Sequence, residues 1–422
     1  MSLRFVVTAS SIGTLIEWYD FFAYASLSSF IAAMFFPKGE AAAALIYTWL
    51  VFATGFAVRP IGALLFGHFG DKAGRKSTFL ATLVLMGLST AAIGLIPTYA
   101  QIGIAATALL AAFRMLQGIA LGGEYGGAIT YVMEHVPEGK RAFYTGFVAA
   151  TPPLGLGLSS FTVVASASLM SPAAFNAWGW RAPFLFALVL MALGAYLRWK
   201  LDETPLFKPL KERGEVPKVP LLEVFGKYWK WVVVGTVVAA GHAVLAYTST
   251  AYIFTFLTQV PKWSPVEANL IVGAAALAQL PLYIFAAWLG DKMGRRAVYV
   301  IGLVLGLATY YPLYLLLSTT KDIALASLYV FVLIGATAFT FSMLGTALAE
   351  LFPTRVRYSG LSIAFNLGIG FFGGFTPSIV QAIGVALRNP LAGVALYTYL
   401  IALVALAVAL FVLPETKDKR LA

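Results

Sequence analysis

Two carboxylic acids, Glu17 and Asp20, stand three residues apart in the run Ile16-Glu17-Trp18-Tyr19-Asp20-Phe21-Phe22-Ala23-Tyr24, within an otherwise apolar stretch. On a helix that spacing puts both acids on one face. Arg59, Arg114, Glu124 and His242 lie in equally apolar surroundings. The planar fork of an arginine can hold a carboxylate through two parallel hydrogen bonds. A buried carboxylate is driven toward its neutral form by lost solvent and toward its charged form by a nearby arginine. Acids and arginines gathered in one apolar region therefore have two uses. They can form static ion pairs that hold helices together, or they can bind protons while a second anion competes for the arginine.

The surrounding chain is built for a bilayer. It has 422 residues, of which 60% are hydrophobic and 11% charged, with a mean hydropathy of +0.85; a soluble domain carries about 25% charge. Twelve apolar runs of spanning length cover roughly 8–35, 43–67, 78–97, 103–133, 144–167, 182–199, 231–258, 267–289, 298–317, 325–350, 359–385 and 391–413. About 20 helical residues cross a hydrocarbon core, and these runs are too long for barrel strands. The expected fold class is an all-α membrane protein with twelve transmembrane helices.

Depth follows from a rise of about 1.5 Å per residue. Asp20 and Arg114 then lie near mid-membrane, Arg59 is level with Glu17, and Glu124 sits about 15 Å beyond Arg114. A charge at such depth costs about 2.5–3.5 kcal/mol on insertion scales, so these groups must face the protein interior and find partners. His242 stands 222 residues after Asp20 and is the titratable group mid-span in the second half.

Orientation follows from the basic residues. With the N-terminus inside, twenty-two Lys and Arg fall in inner segments and five (Lys38, Arg181, Lys262, Lys321 and Arg388) in outer loops. The positive-inside rule then places both termini in the cytoplasm of a multi-pass protein of the cell membrane. The net charge of +11 is accounted for as a topology signal, with no nucleic-acid partner implied. The absence of cysteine excludes disulfides and thiolate metal sites.

The chain repeats itself. GHFGDKAGRK at 67–76 returns as AWLGDKMGRR at 287–296, matching Asp71 to Asp291 and Arg75 to Arg295 at an offset of 220. Glu134 and Arg141 return as Glu350 and Arg357 at an offset of 216, and Glu203-Thr204 returns as Glu415-Thr416 at 212. Three matches in one order divide the chain into parallel six-helix halves, 1–197 and 231–422, joined by a basic, proline-bearing cytoplasmic linker at 198–230. Parallel repeats about an axis along the membrane normal describe a transporter that rocks around a central site.

The two G-x-x-x-D-[RK]-x-G-[RK] loops resemble the signature of the major facilitator superfamily. IEWYDFFAY, FAVRPIGALLFGHFGDKAGRK (56–76), RMLQGIALGGEYGGA (114–128) and LDETP (201–205) resemble its metabolite:proton symporters, which include citrate, α-ketoglutarate, shikimate and proline/betaine carriers. The resemblance implies alternating access and proton-coupled uptake by a monomer, with the proton as coupling ion and no cofactor. It further implies that Asp71, Arg75, Asp291 and Arg295 latch the halves as gating residues.

On this reading the substrate is a small organic anion. Arg114 is the expected carboxylate clamp, with Arg59 assisting and Gln117, Tyr125, Tyr252, Gln279 and Asn366 as polar ligands. Asp20 and Glu124, then Glu17 and His242, are the expected proton sites. A zwitterionic osmolyte carrier and an uncoupled sugar or neutral-solute facilitator stay open as alternatives. Enzymatic activity is not expected. Gly368-Ile-Gly370-Phe-Phe-Gly373 matches G-x-G-x-x-G but follows no strand, so it is not a dinucleotide site.

Overall fold

The computed structural model describes residues 3–37, 39, 41–73, 75–122, 124–199 and 220–419, except the side chains of 67–79, 197–198, 220–221 and 354–355. Within them the chain is helical throughout, with no strand. Ten helical stretches are long and apolar enough to cross a membrane, among them Ala41–Phe66, Ile104–His135, Trp229–Gln259, Ile323–Leu351 and Val356–Ala386. The other two expected spans are helical as well: Leu3–Ser26, which carries the buried acids, and Arg75–Leu95, whose apolar part is Leu80–Leu95. Of the linker, Pro220–Lys227 forms a short helix, and 200–219 lie outside the described residues.

Glycines bring the arginine-bearing helices together. Ile104–Leu121 meets Ala41–Ala57 at main-chain distance, where a Cβ on Gly118 would sit 1.7 Å from the Gly55 carbonyl oxygen. One turn on, a Cβ on Gly122 would sit 2.3 Å from the carbonyl oxygen of Arg59. Only glycine permits this approach, the usual device for packing helices where lipid supplies no hydrophobic drive.

The helices are interrupted differently in the two halves. The second span breaks at Val58, and the fifth breaks at Ala150, where Thr151–Ser168 restarts with Pro152 and Pro153 in its first turn. Among the described residues the π-helical segments, Thr248–Tyr252, Gly368–Gly373 and Val394–Thr398, all belong to the second half. Such widened turns free main-chain groups locally and recur at functional sites.

The halves touch at both ends. At one end Trp49 Nε1 donates to Thr255 Oγ1 (2.9 Å), and Asn269 Nδ2 donates to the Ser26 carbonyl (2.8 Å). At the other end, which carries the basic loops, the contacts are ionic.

Candidate functional site

Between the halves lies a small cavity. Glu17, Trp18 and Phe21 of the first helix line it with Arg59, Leu121 and Tyr125, and the second half adds Phe365 and Asn366. Tyr125 stacks on Phe365 with centroids 4.2 Å apart, so an aromatic wall runs across the division. Asn366 donates to the Gly122 carbonyl at 3.0 Å, tying the halves at the cavity edge. Of the expected site residues, Glu17, Arg59, Tyr125 and Asn366 therefore meet here.

Arg114 lies beside this cavity. It is 2% exposed, donates to Gln117 Oε1 (2.7 Å) and to the Phe52 carbonyl (3.4 Å), and stacks on Tyr24 (4.6 Å), Phe52 (4.8 Å) and Phe21 (5.4 Å). Gln117 passes the link to Thr90 Oγ1 at 2.6 Å. Arg59 is also buried, over Phe56 (4.1 Å) and Phe21 (5.9 Å). Among the described residues no carboxylate pairs with either guanidinium, and each leaves its Nε without a hydrogen bond. Of the two uses the sequence leaves open, static ion pairs between the first-helix acids and these arginines are therefore not the one made here. Rings stand in their place, each worth about 0.5–2 kcal/mol to a cation.

Asp20 is wholly buried, and neither carboxylate oxygen has a hydrogen-bond partner. It lies off the cavity lining, so the spacing to Glu17 was right for the helix but only Glu17 reaches the cavity. Glu124, also buried and off the cavity, accepts from the Thr82 hydroxyl. His242 Nδ1 bonds Thr340 Oγ1 (2.7 Å), and its ring stacks on Phe341 (4.7 Å). Two expected polar ligands lie elsewhere: Tyr252 packs on Tyr314 with its hydroxyl toward the Pro390 carbonyl, and the Gln279 amide serves the Phe331 carbonyl at a helix break.

The basic end holds a cross-linked ion network. Asp291 accepts from the main-chain amides of Ala142 (3.0 Å) and Phe143 (2.8 Å), capping the helix Arg141–Ala149 of the other half, and pairs with Arg295 at 3.0 Å. Glu350 pairs with Arg295 (3.2 Å) and with Arg141 (3.4 Å). Arg357 pairs with Glu134 at 3.8 Å. The acid of each repeat thus meets the base of the other half. The C-terminal segment joins in. Glu415 accepts from the Arg295 and Arg296 amides, Thr416 donates to Glu350 (2.6 Å), and the Lys419 carbonyl accepts from Arg141 (2.8 Å). Burial, and then the positive charge of Arg357, hold the Lys419 ammonium below its ordinary value. The side chains of Asp71 and Arg75, the corresponding pair of the first half, lie outside the described residues.

Residues 5–219 match the family described as sugar (and other) transporter, and residues 239–422 match the Major Facilitator Superfamily. A putative metabolite transport protein of Haemophilus influenzae is 37% identical, covering 100% of this chain and 96% of its own. The chain belongs to the major facilitator superfamily. Within it, the chain is also 35% identical to a glycine betaine/proline/ectoine/pipecolic acid transporter of Dickeya dadantii, over 99% of this chain and 85% of that protein. The crystal structure of a D-xylose–proton symporter superposes with a TM-score of 0.76 at 17% identity over the whole of both chains, a likeness of fold. The protein is thus a multi-pass membrane transporter of metabolites, not an enzyme, with the fold of that superfamily.

Proposed function

We propose that this transporter carries a small organic anion inward together with protons, with the basic face toward the cytoplasm. One observation carries the reading. Two buried guanidinium groups, Arg59 and Arg114, lie beside a cavity between the halves with no carboxylate paired to them among the described residues, while the Asp20 carboxyl of the first helix, beside the Thr90 that Gln117 links to Arg114, has no hydrogen bond of normal geometry. Buried charges are ordinarily paired, so the arginines are waiting for an anion. An ionised Asp20 would be one more buried charge without hydrogen bonds, whereas the neutral acid is compatible with its site.

In this reading Arg114, steadied by Gln117, and Arg59 hold the substrate carboxylate. Asp20 carries the coupling proton, with Glu124, Glu17 and His242 as secondary proton sites. Protonation of Asp20 removes a competitor for the arginines, so proton and anion bind cooperatively. Asp291 and Arg295, with Glu350, Arg141 and the Glu134–Arg357 pair, form the cytoplasmic gate.

A second reading, a zwitterion such as betaine, is favoured by the cavity wall. Trp18, Phe21, Tyr125 and Phe365 are rings of the kind that receive quaternary ammonium groups. The transporter of Dickeya dadantii named above handles such compounds. Both readings keep the carboxylate at the arginines. Purified protein in lipid vesicles, offered acetate, succinate, citrate and glycine betaine with an inward proton gradient, distinguishes them. Accumulation of an organic acid supports the first and accumulation of betaine alone the second; transport of none of these, with transport of a neutral sugar unaffected by pH, overturns both.

A further inference from the structure

Among the described residues the second half contributes no charge to the arginine site, yet one of its polar groups is out of place. Tyr247 ends the helix Trp229–Tyr247, just before the π-helical segment Thr248–Tyr252. It is 3% exposed, and its hydroxyl has no hydrogen-bond partner. The other buried tyrosines of that half are satisfied: Tyr310 donates to the Leu245 carbonyl (2.8 Å), Tyr314 to the Thr248 carbonyl (2.7 Å), and Tyr299 to the Val238 carbonyl. A buried hydroxyl left unmade costs about 1–3 kcal/mol, so an orphan asks for a reason.

The position supplies it. The Tyr247 ring packs on Phe56 (5.4 Å), Phe21 (5.8 Å) and Phe52 (6.3 Å). These are the rings on which Arg59 and Arg114 stack, and the hydroxyl is within electrostatic reach of both guanidinium groups. The unsatisfied Nε of each arginine and the Tyr247 hydroxyl therefore surround one shared cluster of rings. The ring is held there by a second wide turn, because a Cβ on Gly373, at the end of the π-helical Gly368–Gly373, would lie 2.7 Å from it. Among the described residues nothing satisfies this hydroxyl, and one O–H donor of the second half is left beside the cationic site of the first.

We propose that Tyr247 is the ligand by which the second half reads the bound anion: its hydroxyl donates to the carboxylate held by Arg59 and Arg114, so that the substrate itself ties the halves together. This rests on the carboxylate reading above. The Tyr247→Phe variant removes one oxygen that bonds nothing in the protein, so its melting temperature should match the wild type. Its affinity for whichever of succinate or glycine betaine the wild type binds should fall about 10- to 100-fold, the range for a hydrogen bond to a charged group. Ligand-induced approach of spin labels at the outer ends of the halves should be lost at saturating ligand, which weakened packing alone would not cause. Tyr310→Phe is the control and should lose melting temperature while keeping affinity. If the wild type and Arg114→Lys both ignore every carboxylate, the site reading fails and this inference with it. If the wild type binds and Arg114→Lys does not, but Tyr247→Phe binds within twofold and still draws the labels together, this inference alone is overturned.

Discussion

The two halves handle buried polarity in opposite ways. In residues 3–199 the groups at membrane depth include charges, and Asp20, Arg59 and Arg114 are left with unmade hydrogen bonds. In residues 229–411 they are chiefly hydroxyls and amides, and most reach a main-chain carbonyl or a threonine: Tyr299, Tyr310 and Tyr314 on carbonyls, His242 on Thr340. At the basic face charge returns, but there the acids and bases are paired. One set of buried charges is thus satisfied by the protein, and the other is arranged so that the protein alone cannot satisfy it. Natural folds depart from full satisfaction at functional sites.

That contrast predicts opposite signs for charge removal, and the largest effect falls on the paired set. Glu350 is wholly buried between Arg295 and Arg141, so Glu350→Ala leaves Arg295 with Asp291 alone and Arg141 with only the exposed Glu138, and should cost about 3–5 kcal/mol. A marked drop in the melting temperature of the detergent-purified variant is the expected outcome; an unchanged value would erase the distinction. Arg114→Met, by contrast, should weaken carboxylate binding at least about 100-fold, close to 2.7 kcal/mol, while the melting temperature holds or rises, since an unpaired buried charge is removed. Calorimetric titration beside a thermal scan reads both.

Asp20→Asn sharpens the comparison further. The amide imitates the neutral acid at a position whose oxygens make no hydrogen bond of normal geometry, with the Thr90 hydroxyl close by, so stability should hold and substrate exchange across vesicle membranes should persist. Uphill accumulation driven by an inward proton gradient should collapse to the equilibrium level, and affinity should lose its pH dependence. Accumulation at the wild-type level would move the coupling proton to Glu124. The smallest effect is expected from Asp291→Asn, which keeps the shape but removes the charge from the cap on Ala142 and Phe143. A cap of this kind is worth about 0.5–2 kcal/mol, so labels at the basic face should report a several-fold shift toward the open state with little change in intrinsic affinity.

Much of this arrangement was legible in the residues. Hydropathy located every helix that the structure describes as a span, and depth put Glu17 and Arg59 at one level; Tyr125 and Asn366, which line the same cavity, were expected only as polar ligands. Depth says nothing of rotation about the helix axis, which decides what a side chain meets. Gln279 and Tyr252 sit in apolar spans like true ligands, yet both face main-chain carbonyls freed by a helix break or a loop. Tyr247 was passed over for the converse reason: a tyrosine is unremarkable in a membrane helix, and only its missing partner distinguishes it. The repeat at an offset of 216 was plain, but its meaning was spatial. Equivalent residues near a two-fold axis meet in exchanged pairs, which is why Glu134 finds Arg357 and Arg141 finds Glu350.

The cap that Asp291 places on the opposite half has a mechanical side. Its two bonds, at 3.0 and 2.8 Å, end on peptide amides, so no side chain at 142 or 143 encodes them and sequence drift there goes unnoticed, with proline as the exception because it has no amide hydrogen to give. Hydrogen bonds are also brittle. They are gone once the atoms part by roughly 1 Å, whereas the attraction between Arg141 and Glu350 fades only as the inverse of distance. A joint made of both behaves like a magnetic door with a catch. It resists the first fraction of an ångström steeply, then swings against a soft pull that draws it shut again.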